Sequence, residues 1–426
     1  MQAWQKTLAA MWVAMFFIFL EFTFSIAFLP IFLQEEFGLS FQGAASWMGF
    51  LAAMPSVVMF LGQPAAGIIA DRIGRKPVVL FSVVATSLCR ALWYFARSPV
   101  EILALGIAAG LLGSGGVASS AIVASQAPRG KLGSVLGLFQ TSWTLGFVVG
   151  PLAGAFLSEH VGYRNTFLAQ AVFAAVGGAV IWAWVKEDHT GRELAPVGRL
   201  RDMLLRDLRP LASSRNMLVL WMAMFTMTFG FALIIPLFTL FVQYLGVRIE
   251  SVPVVAGTMM FLVGLVQSVL APVFGRLSDR VGHRRVLVAS AYAVGVLIAP
   301  QAFVANVWQF LGLRILSTAS GAAMMPATNA LVATFMPARQ YGGAYGVLGS
   351  SRTLAFAIAP IVGGIVAAQF GIRVTFILCA ALSLIAATWV QYGLGKGPEE
   401  GLVEDEAEAD LLPPSEALGT DSGADG

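Results

Sequence analysis

The stretch GIIADRIGRK at residues 67–76 is repeated as GRLSDRVGHRR at residues 275–285. The two stretches begin 208 residues apart, and each follows a long apolar run. Two further pairs keep nearly the same offset, 209 residues: GPLAG at 150–154 with APIVG at 359–363, and GYRNTF at 162–167 with GIRVTF at 371–376. The chain is therefore predicted to contain two copies of one structural unit.

The composition is that of a membrane protein. Of the 426 residues, 58% are apolar and only 12% are charged, whereas soluble domains carry about 25% charged residues. A bilayer core needs about 20 apolar residues per helix. Twelve runs meet this length, and we call them spans 1–12: roughly 9–33, 44–69, 78–96, 100–125, 134–157, 165–185, 217–244, 254–277, 286–304, 307–335, 343–368 and 373–394. The predicted fold is an all-α polytopic membrane protein with twelve transmembrane helices in two pseudo-symmetric six-helix bundles.

The basic residues support this count of spans. If the amino terminus is cytoplasmic, the segments on that side hold 19 Lys and Arg residues, and the opposite segments hold four. Cytoplasmic segments of membrane proteins carry such an excess. We therefore predict a multi-pass protein of the inner or plasma membrane with both termini in the cytoplasm.

Two polar segments divide the chain. Residues 186–216 are basic and are predicted to link an amino-terminal bundle, 1–185, to a carboxy-terminal bundle, 217–396. The linker is either a short amphipathic helix on the membrane surface or a solvated segment. Residues 397–426 contain ten acidic and no basic residues, so we expect an acidic disordered tail.

Neither an enzyme nor a nucleic-acid-binding protein is indicated. Cys89 and Cys379 are far apart, as are the three His residues, so no metal centre is expected. A phosphate-binding loop of the form GxxxxGK[ST] is missing from the sequence. The basic residues are scattered between apolar runs instead of lining one polar face. No cofactor is expected.

Charged residues inside the spans mark the candidate site, because charges at membrane depth are costly and usually functional. Glu21 lies about halfway along span 1, deeper than any other carboxylate, and Ser25 follows one turn later. Glu21 is predicted to carry protons or to bind a cationic substrate. The alternative is a structural Glu, either protonated or salt-bridged. Arg314 in span 10 and Arg352 in span 11 are candidate partners of Glu21 or of a substrate anion, and a structural role is their alternative.

Aromatic and amide side chains add candidates for a lipophilic pocket. Near Glu21 they would line a cavity with a few polar groups, as ligand sites do. For each of them, packing in the core or against lipid is the alternative. These candidates are Phe24, Phe28, Gln140, Trp143 and Gln267.

Spans 2 and 5 carry patterns with a physical rationale. Asp71 ends span 2, where the helix dipole disfavours a carboxylate, so it needs a partner, and Arg75 is near enough. Gly146, Gly150 and Gly154 in span 5 are four residues apart. They share one face and permit close approach of another helix, while a proline in this span favours a bend.

These motifs resemble those of the major facilitator superfamily, and within it the twelve-helix drug/proton antiporters. The resemblance covers nearly the whole chain except the linker and the tail. It implies a cytoplasmic latch between the halves in the outward-facing state, formed by Gly67, Asp71, Arg72, Gly74 and Arg75 with Gly275, Asp279, Arg280, Gly282 and Arg284. It also implies a seal between the rocking halves along the span 5 motif, Gly137, Gly146, Gly150, Pro151 and Gly154.

The sequence departs from this pattern in two places. Ala155 stands where the antiporter motif has its last Gly, and Ala109 aligns where many members carry an Arg in span 4. Arg314 takes the equivalent place in the second half. Span 3 is peripheral in the family, so Arg90 is ascribed to packing or to snorkelling.

The resemblance implies a secondary active transporter that exports a small amphipathic or lipophilic compound by alternating access, in exchange for protons. One alternative is uptake or facilitated transport of a sugar, an organic anion or another nutrient. A lesser alternative is a non-transporting membrane receptor or scaffold. The expected partners are a small-molecule substrate, protons and the lipid bilayer, and the protein is expected to act as a monomer.

Overall fold

The computed structural model describes residues 3–128, 131–185, 215–336 and 341–394. Every regular element within these ranges is a helix. The predicted acidic tail and all but the last two residues of the predicted linker lie outside the described residues, so both stay predictions.

The helices follow the twelve predicted spans. Eleven spans are long and apolar enough to cross a membrane, and span 10 is divided into helices of 15 and 12 residues. In chain order the helices are Ala3–Phe24 and Leu29–Phe37 (span 1), Phe41–Ile73, Arg75–Leu92, Pro99–Leu112 and Ala118–Gln126 (span 4), Leu132–Val161, Tyr163–Trp184, Arg215–Ile234 and Phe238–Tyr244 (span 7), Val252–Val281, His283–Ile298, Val307–Gly321 and Met324–Phe335 (span 10), Tyr341–Phe370, and Ile372–Gly393. The twelve-helix fold is thereby confirmed.

Spans 1, 4, 7 and 10 are each interrupted, and the interruptions occur at corresponding places in the two repeats. Span 1 breaks after Phe24, and span 7 breaks at Ile235–Leu237. A proline accompanies each break, Pro30 in span 1 and Pro236 in span 7. Proline lacks the backbone N–H and collides with the preceding turn, so a continuous helix is disfavoured there. Each interruption divides its span into two helices, and it lies either near the middle of the span or closer to one end.

Glycine forms the tight turns between consecutive spans. Six glycines in the described residues have positive φ, a region that non-glycine residues rarely adopt. They form three repeat-related pairs, offset by 208 or 209 residues: Gly38 with Gly246, Gly74 with Gly282, and Gly162 with Gly371. The turns inside both copies of residues 67–76 and 275–285 are among them, so the motif loops share one geometry.

The glycine face of span 5 packs inside its own bundle. A side chain at Gly146, Gly150 or Gly154 would collide with the backbone of span 1, at Phe16, Leu20 and Phe24. In the second bundle, Gly363 packs in the same way against the backbone of Leu233 in span 7. The expectation that this glycine face seals the two halves is therefore wrong for this state, because its contacts are with span 1.

The seal between the bundles uses the neighbouring face of span 5. The carbonyl of Pro151 lies 2.7 Å from the position that a Cβ of Gly257 in span 8 would take. Its repeat counterpart is the carbonyl of Pro360 in span 11, which lies 2.6 Å from the corresponding position at Gly49 in span 2. Two symmetry-related contacts therefore join the bundles, and both rely on glycine for close backbone approach.

A pair of glutamines completes this junction. The side-chain amides of Gln34 and Gln243 exchange two hydrogen bonds, of 2.9 and 3.1 Å. They are 209 residues apart, so equivalent residues of the two copies meet across the pseudo-symmetry axis. All three contacts lie in the half of the molecule remote from the motif loops, which we call the far end. The opposite half is the motif end.

Toward the motif end the same helices present open positions. A Cβ at Gly67 in span 2 or at Gly349 in span 11 would have nothing within 4 Å, and the same holds for Gly137 in span 5. In the described residues the close contacts between the bundles named above lie at the far end, whereas these three glycines lie beside open space nearer the motif end, which is the predicted cytoplasmic end.

Candidate functional site

A cavity of about 330 Å³ lies in the first bundle, between spans 1–5. Its walls are mostly apolar and include Met15, Ile18, Phe19, Met59 and Trp143. Ligand pockets of about 300–1,000 Å³ hold drug-sized molecules. The size and lining of this cavity therefore suit a small lipophilic compound.

Small residues of span 4 shape the cavity. A side chain at Gly110 would collide with the carbonyl of Pro55 in span 2, and one at Gly113 would meet the methyl of Thr86 in span 3. Close approach of these spans brings a few polar groups to the wall, namely Ser56, Gln63, Thr86 and Ser114.

Glu21 lies at the wall of this cavity and is paired with a cation. It belongs to the last turn of the first helix of span 1 and is only 4% exposed. The Nε of Arg90 donates to Glu21 Oε1 at 2.8 Å. The Nε2 of Gln170 in span 6 donates to the Glu21 backbone carbonyl at 2.8 Å and to Oε1 at 3.3 Å. Donors from spans 3 and 6 thus hold one carboxylate oxygen of Glu21.

Arg90 was misjudged from the sequence. It was ascribed to packing or snorkelling, and Arg314 and Arg352 were named as partners of Glu21, yet Arg90 forms the ion pair. Its side chain is 14% exposed, and its guanidinium lies 4.3 Å from the ring centroid of Trp93. One signal was available, because Arg90 is the only Lys or Arg within the predicted spans 1–6. For Gln170 the sequence offered no signal.

Several other predicted site residues lie away from the cavity. Ser25 is buried where span 1 is interrupted, one residue beyond the helix end, and it does not line the cavity. Phe24 and Phe28 are fully buried in the aromatic core. Gln140 and Gln267 are exposed and outside the cavity lining.

Trp143 is the pocket candidate that lines the cavity. Its ring stacks on Phe19 of span 1, with a centroid distance of 5.0 Å and an interplanar angle of 15°. This stack joins spans 1 and 5 and presents an aromatic surface toward the space beside Glu21.

Arg314 is buried in the second bundle. It is 5% exposed and its Nε has no hydrogen-bond partner among the described residues. Its guanidinium faces the rings of Phe231 and Phe238 in span 7, at 5.7 and 5.9 Å. The structure therefore separates Arg314 from Glu21.

Arg352 lies on span 11 in the half nearer the motif end, and it is exposed. Its repeat counterpart, 209 residues earlier, is Trp143, a residue of the cavity wall in the first bundle.

The motif loops hold neighbouring helix ends. Arg75 lies 3.8 Å from Asp71 and donates to the carbonyl of Ala121 at 3.0 Å. Lys76 donates to the carbonyl of Trp182 at 2.9 Å, and its repeat counterpart Arg284 donates to the carbonyl of Gln391 at 2.6 Å. Cations at helix carboxyl ends are favourable, so the loops tie spans 3 and 9 to the ends of spans 6 and 12.

The predicted latch is open in this structure. The Asp71 side chain is 62% exposed, and Arg72, Asp279 and Arg280 are exposed as well. A side chain at Gly275 would approach only Pro326 of its own bundle, at 3.8 Å. The latch role in the opposite state stays a prediction.

Replacing Asp71 by Asn should lower transport at least tenfold while the protein still inserts and remains monodisperse. The amide keeps the shape of the side chain but loses the charge on which a charged latch depends. Initial transport rates in vesicles, normalised to inserted protein, measure the effect. Glu159→Gln, which removes an exposed carboxylate at the far end, is the matched control. Unaffected transport by D71N would contradict the latch.

Comparison with known proteins agrees with this architecture. A sequence model described as Major Facilitator Superfamily matches residues 11–263 and again residues 220–420. The multidrug resistance protein MdtG of Salmonella paratyphi A is 27% identical over 388 residues, covering 91% of this chain and 95% of that protein. MdtG of Yersinia enterocolitica is 29% identical over 399 residues, covering 93% and 94%.

A solved structure shares the fold. It is a bacterial homologue of the human lysosomal transporter Spinster in an inward-facing, unoccupied conformation, with a TM-score of 0.74 and 14% identity, covering 91% of this chain and 96% of that one. The shared architecture includes both bundles.

Proposed function

Since the chain belongs to the major facilitator superfamily, we propose that it exports small amphipathic compounds in exchange for protons. Membership makes it a multi-pass membrane transporter that binds a small-molecule substrate. The direction, the exported compound and the coupling to protons are the proposed part. The Glu21–Arg90 pair at the wall of an apolar cavity is the observation that carries the proposal. The two MdtG relatives are named multidrug resistance proteins, which favours export.

The cavity supports a lipophilic substrate. Apolar side chains dominate its wall, and Trp143 and Phe19 offer a stacked aromatic surface. Burial of apolar area contributes about 25 cal/mol per Å², so affinity can arise without a precise set of polar contacts. Such a site accepts chemically diverse compounds, as export of foreign molecules requires.

The ion pair supports proton coupling. A buried carboxylate is stable as an anion only with a cationic partner, and Arg90 at 2.8 Å fits the charged form of Glu21. Proton uptake by Glu21 would discharge this pair and free Arg90. In the proposed cycle, Glu21 takes up a proton when the cavity faces outside and releases it toward the motif end. The present paired state corresponds to the stage after release.

The bundle contacts support alternating access. The far end is closed by Gln34 with Gln243 and by the two glycine–proline contacts, whereas positions at the motif end are open. In the opposite state the motif loops would meet and the far-end contacts would part. The predicted latch around Asp71 would then act only in that second state.

Purified protein in liposomes tests the proposal. With the lumen one pH unit more acidic than the outside, naphthalene-2-sulfonate or its matched cation 2-naphthyltrimethylammonium should accumulate in the lumen. One pH unit is worth about 1.4 kcal/mol per proton, which supports about tenfold accumulation of either probe for one-for-one exchange when the membrane potential is held at zero. A protonophore should abolish it. Movement that ignores the pH gradient would indicate facilitated transport, and no movement of either probe would favour a receptor.

A further inference from the structure

The charges inside the second bundle are unbalanced. Between residues 215 and 394 the sequence contains only two carboxylates, Glu250 and Asp279. They lie at opposite ends of span 8, and both are exposed. Arg314 and Arg352 lie within spans 10 and 11, away from these ends. Neither arginine therefore has a carboxylate of its own bundle at membrane depth.

The first bundle offers no free carboxylate at membrane depth in exchange. Glu21 is the only acidic residue well inside its predicted spans, and its carboxylate already accepts from Arg90 and Gln170. Counting Glu21 and Arg90 as neutralised, Arg314 and Arg352 leave the interior with two positive charges. The membrane interior of the protein therefore lacks the negative charges that would balance these two arginines.

Arg314 shows the cost of this deficit most clearly. It is buried, its Nε lacks a hydrogen-bond partner among the described residues, and its guanidinium faces the rings of Phe231 and Phe238, near the buried thiol of Cys379. Cation–π contacts are weaker than the penalty for removing an ion from water. Phe231, one of the two rings, is 41% exposed.

We propose that Arg314 binds the acidic group of an amphipathic organic anion, which is the substrate class of this transporter, and that Arg352 adds positive charge within the same bundle. The planar guanidinium matches carboxylate, sulfonate and phosphonate oxygens in a two-pronged geometry. Phe231 and Phe238 of span 7 face Arg314 and supply an aromatic wall for the apolar part of the ligand. The inference rests on the proposed transport function and names its substrate.

Equilibrium binding to the full chain in zwitterionic nanodiscs tests the inference without a pH gradient. Naphthalene-2-sulfonate and 2-naphthyltrimethylammonium share one ring system and differ in the sign of their charge. The anion should bind at least tenfold more tightly than the cation. Equal affinities, a preference for the cation, or binding of neither probe at millimolar concentration would overturn the proposal.

Variants assign the effect to the arginines. Arg314→Gln should weaken binding of the anion about tenfold and leave the cation unchanged, and Arg352→Gln should weaken the anion by a smaller factor. Arg314→Lys keeps the positive charge but lacks the planar guanidinium, so it should retain part of the affinity for the anion. It also provides a second test if R314Q does not fold. Arg248→Gln, at an exposed residue of the far end, is the control. Unchanged anion binding by folded R314Q would contradict the assignment.

The outcomes separate the two proposals. Selective anion binding without pH-driven transport would refute proton-coupled export and leave the anion site standing. Export of the cation with no preference for the anion would refute the anion site alone.

Discussion

Glu21→Gln is expected to abolish accumulation driven by a pH gradient, to the level of protein-free liposomes, while substrate exchange across the membrane persists. Gln keeps the volume and one acceptor for Arg90 but cannot take up a proton in the relevant pH range. Net transport against a gradient needs that proton, whereas exchange of labelled for unlabelled substrate needs only the conformational change. The two assays, performed on the same vesicles, measure pH-driven accumulation and substrate exchange separately.

Stability must be separated from coupling in this test. Removing one partner of a buried ion pair costs about 3–5 kcal/mol, so E21Q should also lower the unfolding temperature. The double variant E21Q/R90Q removes both charges and should recover much of that stability while remaining uncoupled. Recovery of pH-driven accumulation by the double variant would contradict a coupling role for Glu21.

Glu36→Gln provides a matched control for the same substitution. Glu36 also pairs with an arginine, Arg164 at 2.9 Å, but this pair is about one-third exposed and lies at the far end, outside the cavity lining. Its loss should leave coupling unchanged, because exposed ion pairs contribute about 0–1 kcal/mol. An equal defect in E36Q and E21Q would indicate general damage to the bundle.

Cross-linking Gln34 to Gln243 is expected to stop both net transport and exchange. The two amides join the bundles at the far end, and alternating access requires that this end opens. Cysteines at both positions, bridged by a short bis-methanethiosulfonate reagent, would hold it closed. Turnover should fall to background and return after reduction of the bridge.

The design needs a background without other thiols. Cys89 and Cys379 are free and buried, so replacing both by Ser or Ala removes unwanted reaction. Each single variant, Gln34→Cys or Gln243→Cys, treated with the same reagent controls for simple modification. Full turnover in vesicles where the bridge is complete would show that the far end need not open, and alternating access through this junction would be excluded.

The sequence identified residues that lie at the candidate site, but it did not identify the residues that they contact. Glu21 was identified from its depth in span 1, and Trp143 from its place in span 5, and both lie at the cavity. The partner of Glu21 was assigned to the wrong bundle. Membrane depth reveals that a charge is costly, but it does not reveal which residue across the helix packing neutralises it.

The span 5 motif shows the same limit. The spacing of Gly146, Gly150 and Gly154 correctly indicated a close helix contact, yet the contact is with span 1 and the seal between bundles uses the adjacent face at Pro151. The spacing of small residues predicts that another helix approaches closely, but it does not predict which helix this is.

Properties that depend on the chemistry of short stretches of chain could be predicted from the sequence alone. The lengths of apolar runs fixed twelve spans, the repeat at offsets of 208 and 209 fixed two related bundles, and positive-φ turns coincide with glycines of that repeat. Only the tertiary structure shows that Arg90, and not Arg314, forms the ion pair with Glu21. It also shows that Gln34 hydrogen-bonds to Gln243 and that Arg314 has no carboxylate partner among the described residues. These contacts join residues from 69 to 209 positions apart, and only the rotation and packing of whole helices bring such residues together.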